Sequence, residues 1–135
     1  MSKTELLQSA LAEYFAPWIH EMELTVESCD ADSITLRLPQ NAKLSRVGGM
    51  LCGQAMMAAA DTAMALALVN HFGEFKPCTT VQMNTSFLKP LSKQDAFIQA
   101  RVLRAGKSLA FGDIDIRGAT DGKSASRATA TYALL

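Results

Sequence analysis

The chain has no excess of charge of either sign, which limits the partners that it can bind. Its 135 residues include thirteen Lys and Arg and thirteen Asp and Glu, so the formal net charge is zero, and no run of basic residues stands out. A protein without a basic field does not attract polyanions. The sequence therefore predicts no nucleic-acid partner, while a small phosphorylated ligand can still bind through a few local cations.

Cysteines are also few, and their pattern excludes two classes of protein. Cys29, Cys52 and Cys78 are odd in number and lack the CxxC spacing of a zinc or thiol-redox site. A disulfide scaffold needs paired cysteines at close intervals. The pattern is typical of reduced thiols, and we expect a cytoplasmic protein without a bound metal.

Long segments that are both apolar and uncharged are missing. Glu5 and Glu13 interrupt the first apolar segment, which lacks the basic region and cleavage site of a signal peptide. The most apolar stretch, residues 50–69, contains Gln54 and Asp61, and an Asp near the centre of a membrane span costs about 3 kcal/mol. We therefore expect no membrane partner and one soluble domain over residues 1–135, which is long enough to bury a core.

The N-terminal half of the chain carries both helical and strand patterns. Thr4 to about Trp18 has helical spacing of leucines, with Thr4 as its cap. Two strand patterns, 21–27 and 33–38, flank a polar turn and predict a hairpin. A Gly-containing loop then leads into the apolar segment 55–69, which predicts a long buried helix.

The C-terminal half carries strand patterns only. The long helix should end near residues 70–73, with Gly73 as the left-handed residue that stops it. Strands without helices between them pair antiparallel. The sequence therefore predicts an α+β fold in which a curved antiparallel sheet of five or six strands wraps around one long central helix, with an additional N-terminal helix. Turn-forming residues separate the four later strand patterns, 79–88, 97–103, 109–117 and 125–134.

One acidic residue in the apolar helix needs an explanation. Asp61 is the only acidic residue between positions 46 and 74, and burying it unpaired would cost several kcal/mol, on the order given for buried ions. It is therefore either a structural carboxylate, paired within the chain or across an oligomer interface, or a group kept for chemistry. Gly48, Gly49 and Gly53 precede it, where backbone N–H groups at a helix N-terminus can hold a developing negative charge. A base and an oxyanion site thus share one element.

Three segments resemble the acyl-CoA thioesterases of the hotdog fold, of the phenylacetate-degradation (PaaI-like) type. Leu51–Ala65 is similar to the family's stretch in which His-Gly-Gly opens the central helix and an Asp follows nine residues after the His. Thr80–Pro90 is similar to the family strand that ends in a Phe/Tyr-x-x-Pro-like step. Val102–Phe111 is similar to the family turn in which Gly is followed by Arg or Lys. The resemblance covers residues 34–135 and implies the hotdog fold.

The resemblance also implies a reaction and a site. Asp61 would be the general base or nucleophile at the thioester carbonyl, the N–H of Gly53 would polarise that carbonyl, and Thr80 would lie near the attacking water. This chemistry needs no cofactor, because a base and fixed oxyanion donors suffice for acyl transfer. In the family, two protomers join their sheets edge to edge, and Gly53 of one chain meets Asp61 of the other. We therefore expect a homodimer as the minimum unit and a homotetramer built from two dimers.

Three positions depart from the family motif. Cys52 replaces the His, Gln54 replaces the second Gly, and Arg46 stands where a loop Asn is frequent. Cys52 is thus a further candidate catalytic residue, although its simplest role is that of a small buried hydrophobe. Arg46 and Gln54 are candidate substrate contacts, together with Gly49, Met57, Arg104 and Lys107.

Two functions stay open on this sequence. The first is hydrolysis of the thioester of a small-to-medium or aromatic acyl-CoA. The second is a hotdog module without catalytic activity that binds an acyl thioester or another apolar ligand. A hotdog dehydratase is less favoured, because it needs a His together with a carboxylate and this loop has no His.

Overall fold

Six strands form one antiparallel sheet whose order differs from their order along the chain. The structure is a computed structural model that describes residues 1–135. The sheet order is β1-β2-β6-β7-β8-β5, and the two remaining strands, β3 and β4, pair as a short ribbon in the loop before the long helix. The strands are β1 (Thr25–Cys29), β2 (Ser33–Leu38), β3 (Ser45–Arg46), β4 (Met50–Leu51), β5 (Cys78–Phe87), β6 (Ala96–Ala105), β7 (Leu109–Gly118) and β8 (Ser124–Leu134).

A single long helix packs on the inner face of this sheet. α3 (Gly53–Phe72) begins after the N-cap residue Cys52 and ends at Gly73, whose φ of 78° is the predicted left-handed stop. Its length and composition would allow it to span a membrane, but 67% of its most apolar window is buried inside the fold. Its buried Ala, Met and Leu side chains belong to one cluster of 31 buried apolar residues. α3 is therefore the core helix of the fold, and the predicted hotdog architecture is confirmed.

The N-terminal helical region is divided, whereas the sequence predicts one helix from Thr4 to about Trp18. The observed helices are α1 (Lys3–Glu13) and α2 (Pro17–His20). The cap is Ser2 and not Thr4, because Ser2 and Glu5 form a reciprocal capping box. The division falls before Pro17, whose missing N–H and fixed φ suit the first turn of a new helix.

The edge strand β5 contains an irregularity that orients its side chains. Thr80 pairs with Tyr132 of β8, and Gln82 pairs with the next residue, Thr131, so Val81 is an extra residue. A bulge of this kind shifts the alternation of side chains by one position. Thr80 therefore faces α3 together with Met83, and it lies opposite Tyr132.

Candidate active site

The carboxylate of Asp61 is held by hydroxyl groups from two neighbouring strands. Thr80 Oγ1 on β5 donates to Asp61 Oδ1 at 2.8 Å. The hydroxyl of Tyr132 on β8 also donates to Oδ1, and it lies 2.8 Å from the main-chain oxygen of Asp61. The half-buried acidic residue of α3 thus has hydrogen-bond donors, as a carboxylate in an apolar helix requires.

The two carboxylate oxygens are not equivalent. Both hydroxyl donors point to Oδ1, and no group of the chain donates to Oδ2. A carboxylate oxygen without protein donors keeps its lone pairs for water or a ligand. Oδ2 is therefore the oxygen that can accept a proton in a reaction.

Asp61 opens onto an apolar groove between α3 and the N-terminal helices. The cavity has a volume of about 490 Å³ and contains no Lys, Arg or His side chain. Its size lies in the range of small-molecule sites, about 300–1,000 Å³. The predicted residues Gln54 and Met57 lie on the same exposed face of α3 and line the groove. The full lining is Tyr14, Phe15, Ala16, Trp18, Ile19, Gln54, Met57, Ala58, Asp61, Thr62, Ala65, Met83 and Tyr132.

Burial and the charge of Asp61 perturb two neighbouring groups. Desolvation is the main cause that raises the pKa of Tyr132 well above its usual range, and the hydrogen bond to Asp61 is the second. Desolvation, followed by the negative charge of Asp61, also raises the pKa of the Cys78 thiol. Both groups therefore stay protonated at neutral pH.

Sequence reasoning did not identify Tyr132 or Cys78 as site residues. The signal for Tyr132 is its place on the inner face of β8, after the small inward residues Ala128 and Ala130. A tyrosine buried among alanines needs a partner for its hydroxyl. The only inward acidic group on the facing helix is Asp61, so the pair could have been predicted once the register was known.

Gly53 lines a different cavity of the same chain. It is the first residue of α3, and the cavity beside it has a volume of about 340 Å³. The ring of Phe87 covers this glycine so closely that an added Cβ would lie 3.3 Å from Phe87 Cζ. Asp61 follows eight residues later on α3, which is about 12 Å along a helix. One chain by itself therefore does not bring the two predicted halves of the site together.

Two cationic side chains lie at the Gly53 cavity. Arg46, a predicted substrate contact, is exposed there, and Lys89, which no sequence motif singles out, lines the same cavity. Lys89 also forms an exposed ion pair of 3.4 Å with Asp121. The N-terminus of α3 and these two cations make this cavity suited to an anionic ligand.

The remaining predicted residues lie away from the Asp61 groove. Cys52 is half-buried and caps α3 without a side-chain hydrogen bond. Gly49, with a φ of 80°, lies between β3 and β4 and lines a separate recess. Arg104 and Lys107 lie at the β6–β7 hairpin and line neither cavity. No cluster of three or more His, Cys, Asp or Glu side chains is arranged to hold a metal ion.

Sequence comparison identifies the family. A sequence model described as the thioesterase superfamily matches residues 48–125, which include α3, β5, β6 and β7. The chain belongs to the thioesterase superfamily. A candidate esterase of Thermoplasma acidophilum is a relative that is 28% identical over 85% of this chain and 86% of its own length. A candidate esterase of Thermoplasma volcanium is 31% identical over 75% of this chain and 74% of its own length.

Solved structures of the superfamily share the fold along the entire chain. Thioesterase superfamily member 2 of Mus musculus has a TM-score of 0.88 at 23% identity and covers 100% of this chain and 99% of its own. A thioesterase of Haemophilus influenzae has a TM-score of 0.88 at 19% identity, and the match covers 100% of this chain and 92% of that one. These similarities establish the hotdog fold, and the superfamily membership indicates a thioester hydrolase in general.

Proposed function

We propose that the chain is a PaaI-like acyl-CoA thioesterase in which Asp61 is the general base. The observation that carries this proposal is the arrangement of the Asp61 carboxylate, with Oδ1 bound by two hydroxyls and Oδ2 left without a donor at an apolar groove. A positioned base within reach of water contributes about 10²- to 10⁴-fold to a reaction rate. An acyl group fits the groove, because the lining is apolar apart from a few polar groups.

In the proposed reaction, a water molecule attacks the thioester carbonyl carbon while Asp61 Oδ2 accepts one of its protons. The carbonyl oxygen becomes an oxyanion, the carbon–sulfur bond breaks as the oxyanion collapses, and the thiolate of coenzyme A leaves. The protonated Asp61 gives up the proton that it took from water, the thiolate takes up one proton to become the thiol of coenzyme A, and the carboxylic acid product releases its proton to solvent. The sequence of steps needs no further reactant.

The oxyanion donor is proposed to be the main-chain N–H of Gly53 from a partner chain. Two facts support this: Gly53 and Asp61 line different cavities of one chain, and β5 leaves a ten-residue sheet edge unpaired. Pairing of two β5 edges would join the sheets and cover these edges, as natural sheets require. The active unit is then a cytoplasmic homodimer of one-domain chains, and two dimers associate into a homotetramer.

The phosphates of coenzyme A are proposed to lie near the Gly53 cavity. Arg46 and Lys89 supply positive charge there, and the acyl group enters the groove of the partner chain beside Met57 and Gln54. Arg104 and Lys107 are exposed at the β6–β7 hairpin and are further candidate contacts for the phosphates. The acyl groups that suit an aromatic and aliphatic lining of this size are small-to-medium or aromatic.

One observation favours the alternative of a binding module without catalysis. The side chain of Cys52, which stands at the position of the motif His, makes no hydrogen bond at the N-terminus of α3. A thiol is a weak donor, so the thioester carbonyl would have fewer strong donors than in the family. Thr80 and Tyr132 keep Asp61 in place, however, and leave its Oδ2 without a donor, which favours the enzyme over the binding module.

Hydrolysis of acyl-CoA esters tests the proposal. Free thiol released from acetyl-, hexanoyl-, phenylacetyl- and palmitoyl-CoA is measured for the wild-type protein and for Asp61→Asn. We expect turnover of at least one ester and a loss of about two to four orders of magnitude in kcat for Asp61→Asn. Absence of turnover with all four esters, combined with binding of one of them by calorimetry, would instead support the binding module.

A further inference from the structure

The hydroxyl of Tyr132 lies between two acceptors that belong to the same residue. One is Asp61 Oδ1 and the other is the main-chain oxygen of Asp61, 2.8 Å away. A tyrosine hydroxyl carries one hydrogen and can therefore donate to one of these acceptors at full strength at a time. The two acceptors differ in charge, because the carboxylate gains and loses a proton and the main-chain oxygen does not.

We propose that Tyr132 is a positioning residue that holds Asp61 in both of its protonation states. The hydroxyl donates to Oδ1 while the carboxylate is ionised, and it turns toward the main-chain oxygen when Asp61 has accepted a proton from water. Only rotation about the Cζ–Oη bond is needed, and no covalent bond of the tyrosine breaks. The inference rests on the proposed function, in which Asp61 accepts that proton at Oδ2.

The hydroxyls of Thr80 and Tyr132 are the groups around Asp61 that stabilise its ionised carboxylate. From β5, Thr80 donates to Oδ1, and the neutral thiol of Cys78 lies near enough for the charge of Asp61 to raise its pKa. From the N-terminal region, Tyr14 is the only titratable residue that lines the groove. No cation lines it, and α3 contributes no other charged side chain to it. A hydrogen bond to an ionised group is stronger than one to a neutral group.

Tyr132 can make this exchange because its hydrogen is retained. Desolvation in the core raises the pKa of its hydroxyl, and the hydrogen bond to Asp61 raises it further. The side chain is 3% exposed, and its ring is part of the apolar core. The ring is therefore fixed by packing, while the hydroxyl hydrogen is free to change its acceptor.

Tyr132→Phe tests the inference, because it removes the hydroxyl and keeps the ring. We expect kcat to fall about 10- to 100-fold, the loss that corresponds to one hydrogen bond to a charged group. KM should stay within about threefold, since the lost contact is to the base and not to the substrate. The acid limb of the pH dependence of kcat should move to higher pH, because the ionised base loses a donor.

Ser124→Ala is the matched control. It also removes a hydroxyl that donates to a carboxylate, Asp115, in a bond of 2.5 Å, but neither residue lines the groove. We expect this variant to keep the wild-type pH profile. A Tyr132→Phe enzyme that folds and keeps both kcat and the acid limb would overturn the inference.

A second readout separates failure of this inference from failure of the proposed function. The side-chain carboxyl carbon of ¹³C-labelled Asp61 is titrated by NMR in the wild type and in Tyr132→Phe, which requires no activity. We expect the titration midpoint of Asp61 to move to higher pH in the variant, and an unchanged midpoint contradicts the role of Tyr132. If Tyr132→Phe does not fold, Tyr132 is replaced by 3,5-difluorotyrosine, whose hydroxyl is a stronger donor. The titration midpoint of Asp61 should then move to lower pH. An unchanged or raised midpoint in this variant contradicts the inference.

Discussion

Thr80 Oγ1 donates to Asp61 Oδ1 at 2.8 Å, although the two residues lie on different elements, β5 and α3. Thr80 lies on the same inner side of β5 as Cys78, and the bulge at Val81 places Met83 on that side as well. The neighbouring Thr79 pairs with Ala133 and faces the outer side. Two adjacent threonines of one strand therefore have different surroundings.

This difference supplies a matched pair of substitutions. Thr80→Val should lower kcat roughly 10- to 100-fold, because one donor to the ionised base is lost while the shape of the side chain is kept. Thr79→Val makes the same chemical change on the outer face and should leave kcat near that of the wild type. Steady-state hydrolysis of the preferred acyl-CoA checks both. Equal kcat values for the two variants would remove Thr80 from the site.

The fold and the candidate residue Asp61 could be predicted from the sequence, because both follow from local patterns. Alternating apolar residues predict the strands, and a single acidic residue in an apolar helix identifies Asp61. The partners of Asp61 could not be predicted in full, because Tyr132 lies 71 residues away from it. The contact depends on the order β7-β8-β5 of the strands and on the register of β8 between its neighbours.

The N-terminal region shows where local patterns mislead. Phe15 continues the helical spacing of Leu7 and Leu11 past the end of α1 at Glu13, yet the chain turns before Pro17. This turn brings Tyr14, Phe15 and Trp18 to the groove. Periodicity predicts that a helix exists, but the residue at which it ends is set by its caps and by proline.

The exposed edge of β5 leads to a prediction about assembly. Val81 is 58% exposed on this edge, and a charged residue on an edge strand prevents pairing with another sheet. Val81→Lys should therefore break the pairing through β5 and lower the mass of the assembly in light scattering after size-exclusion chromatography. Leu103→Lys is the control, because Leu103 is equally exposed, at 58%, but lies on the interior strand β6. A Val81→Lys protein with the wild-type mass would exclude pairing through β5.

The stability of the fold at acid pH should depend on Asp95. Its carboxylate accepts from the main-chain N–H of Gln40 at 2.8 Å and from Arg37 Nε at 2.9 Å. The hydrogen bond from the Gln40 N–H is the main cause that holds the pKa of Asp95 below its ordinary value, and Arg37 lowers it further. Because the folded state favours the ionised form, this stabilisation is present above the unfolded pKa, about 3.9, and is lost as the pH falls through the lower folded value.

Asp95→Asn should consequently lower the free energy of unfolding by about 1 kcal/mol at pH 7. The difference from the wild type should shrink as the pH falls below about 4. Urea unfolding at a series of pH values measures it. Asp32→Asn is the control, because the Asp32 carboxylate makes no hydrogen bond within the chain. If the difference for Asp95→Asn stays constant with pH, the ionised carboxylate does not stabilise the fold.

Subunit exchange between two inactive variants tests the central claim, that Asp61 of one chain acts with Gly53 of another. Asp61→Asn lacks the base, and Gly53→Val places a branched side chain where even a Cβ lies 3.3 Å from Phe87. Each variant alone should be folded and nearly inactive. After exchange at equal concentrations, half of the dimers are mixed and each has one intact site, so about a quarter of the wild-type activity should return. If mass spectrometry shows mixed dimers and no activity returns, the shared site is wrong.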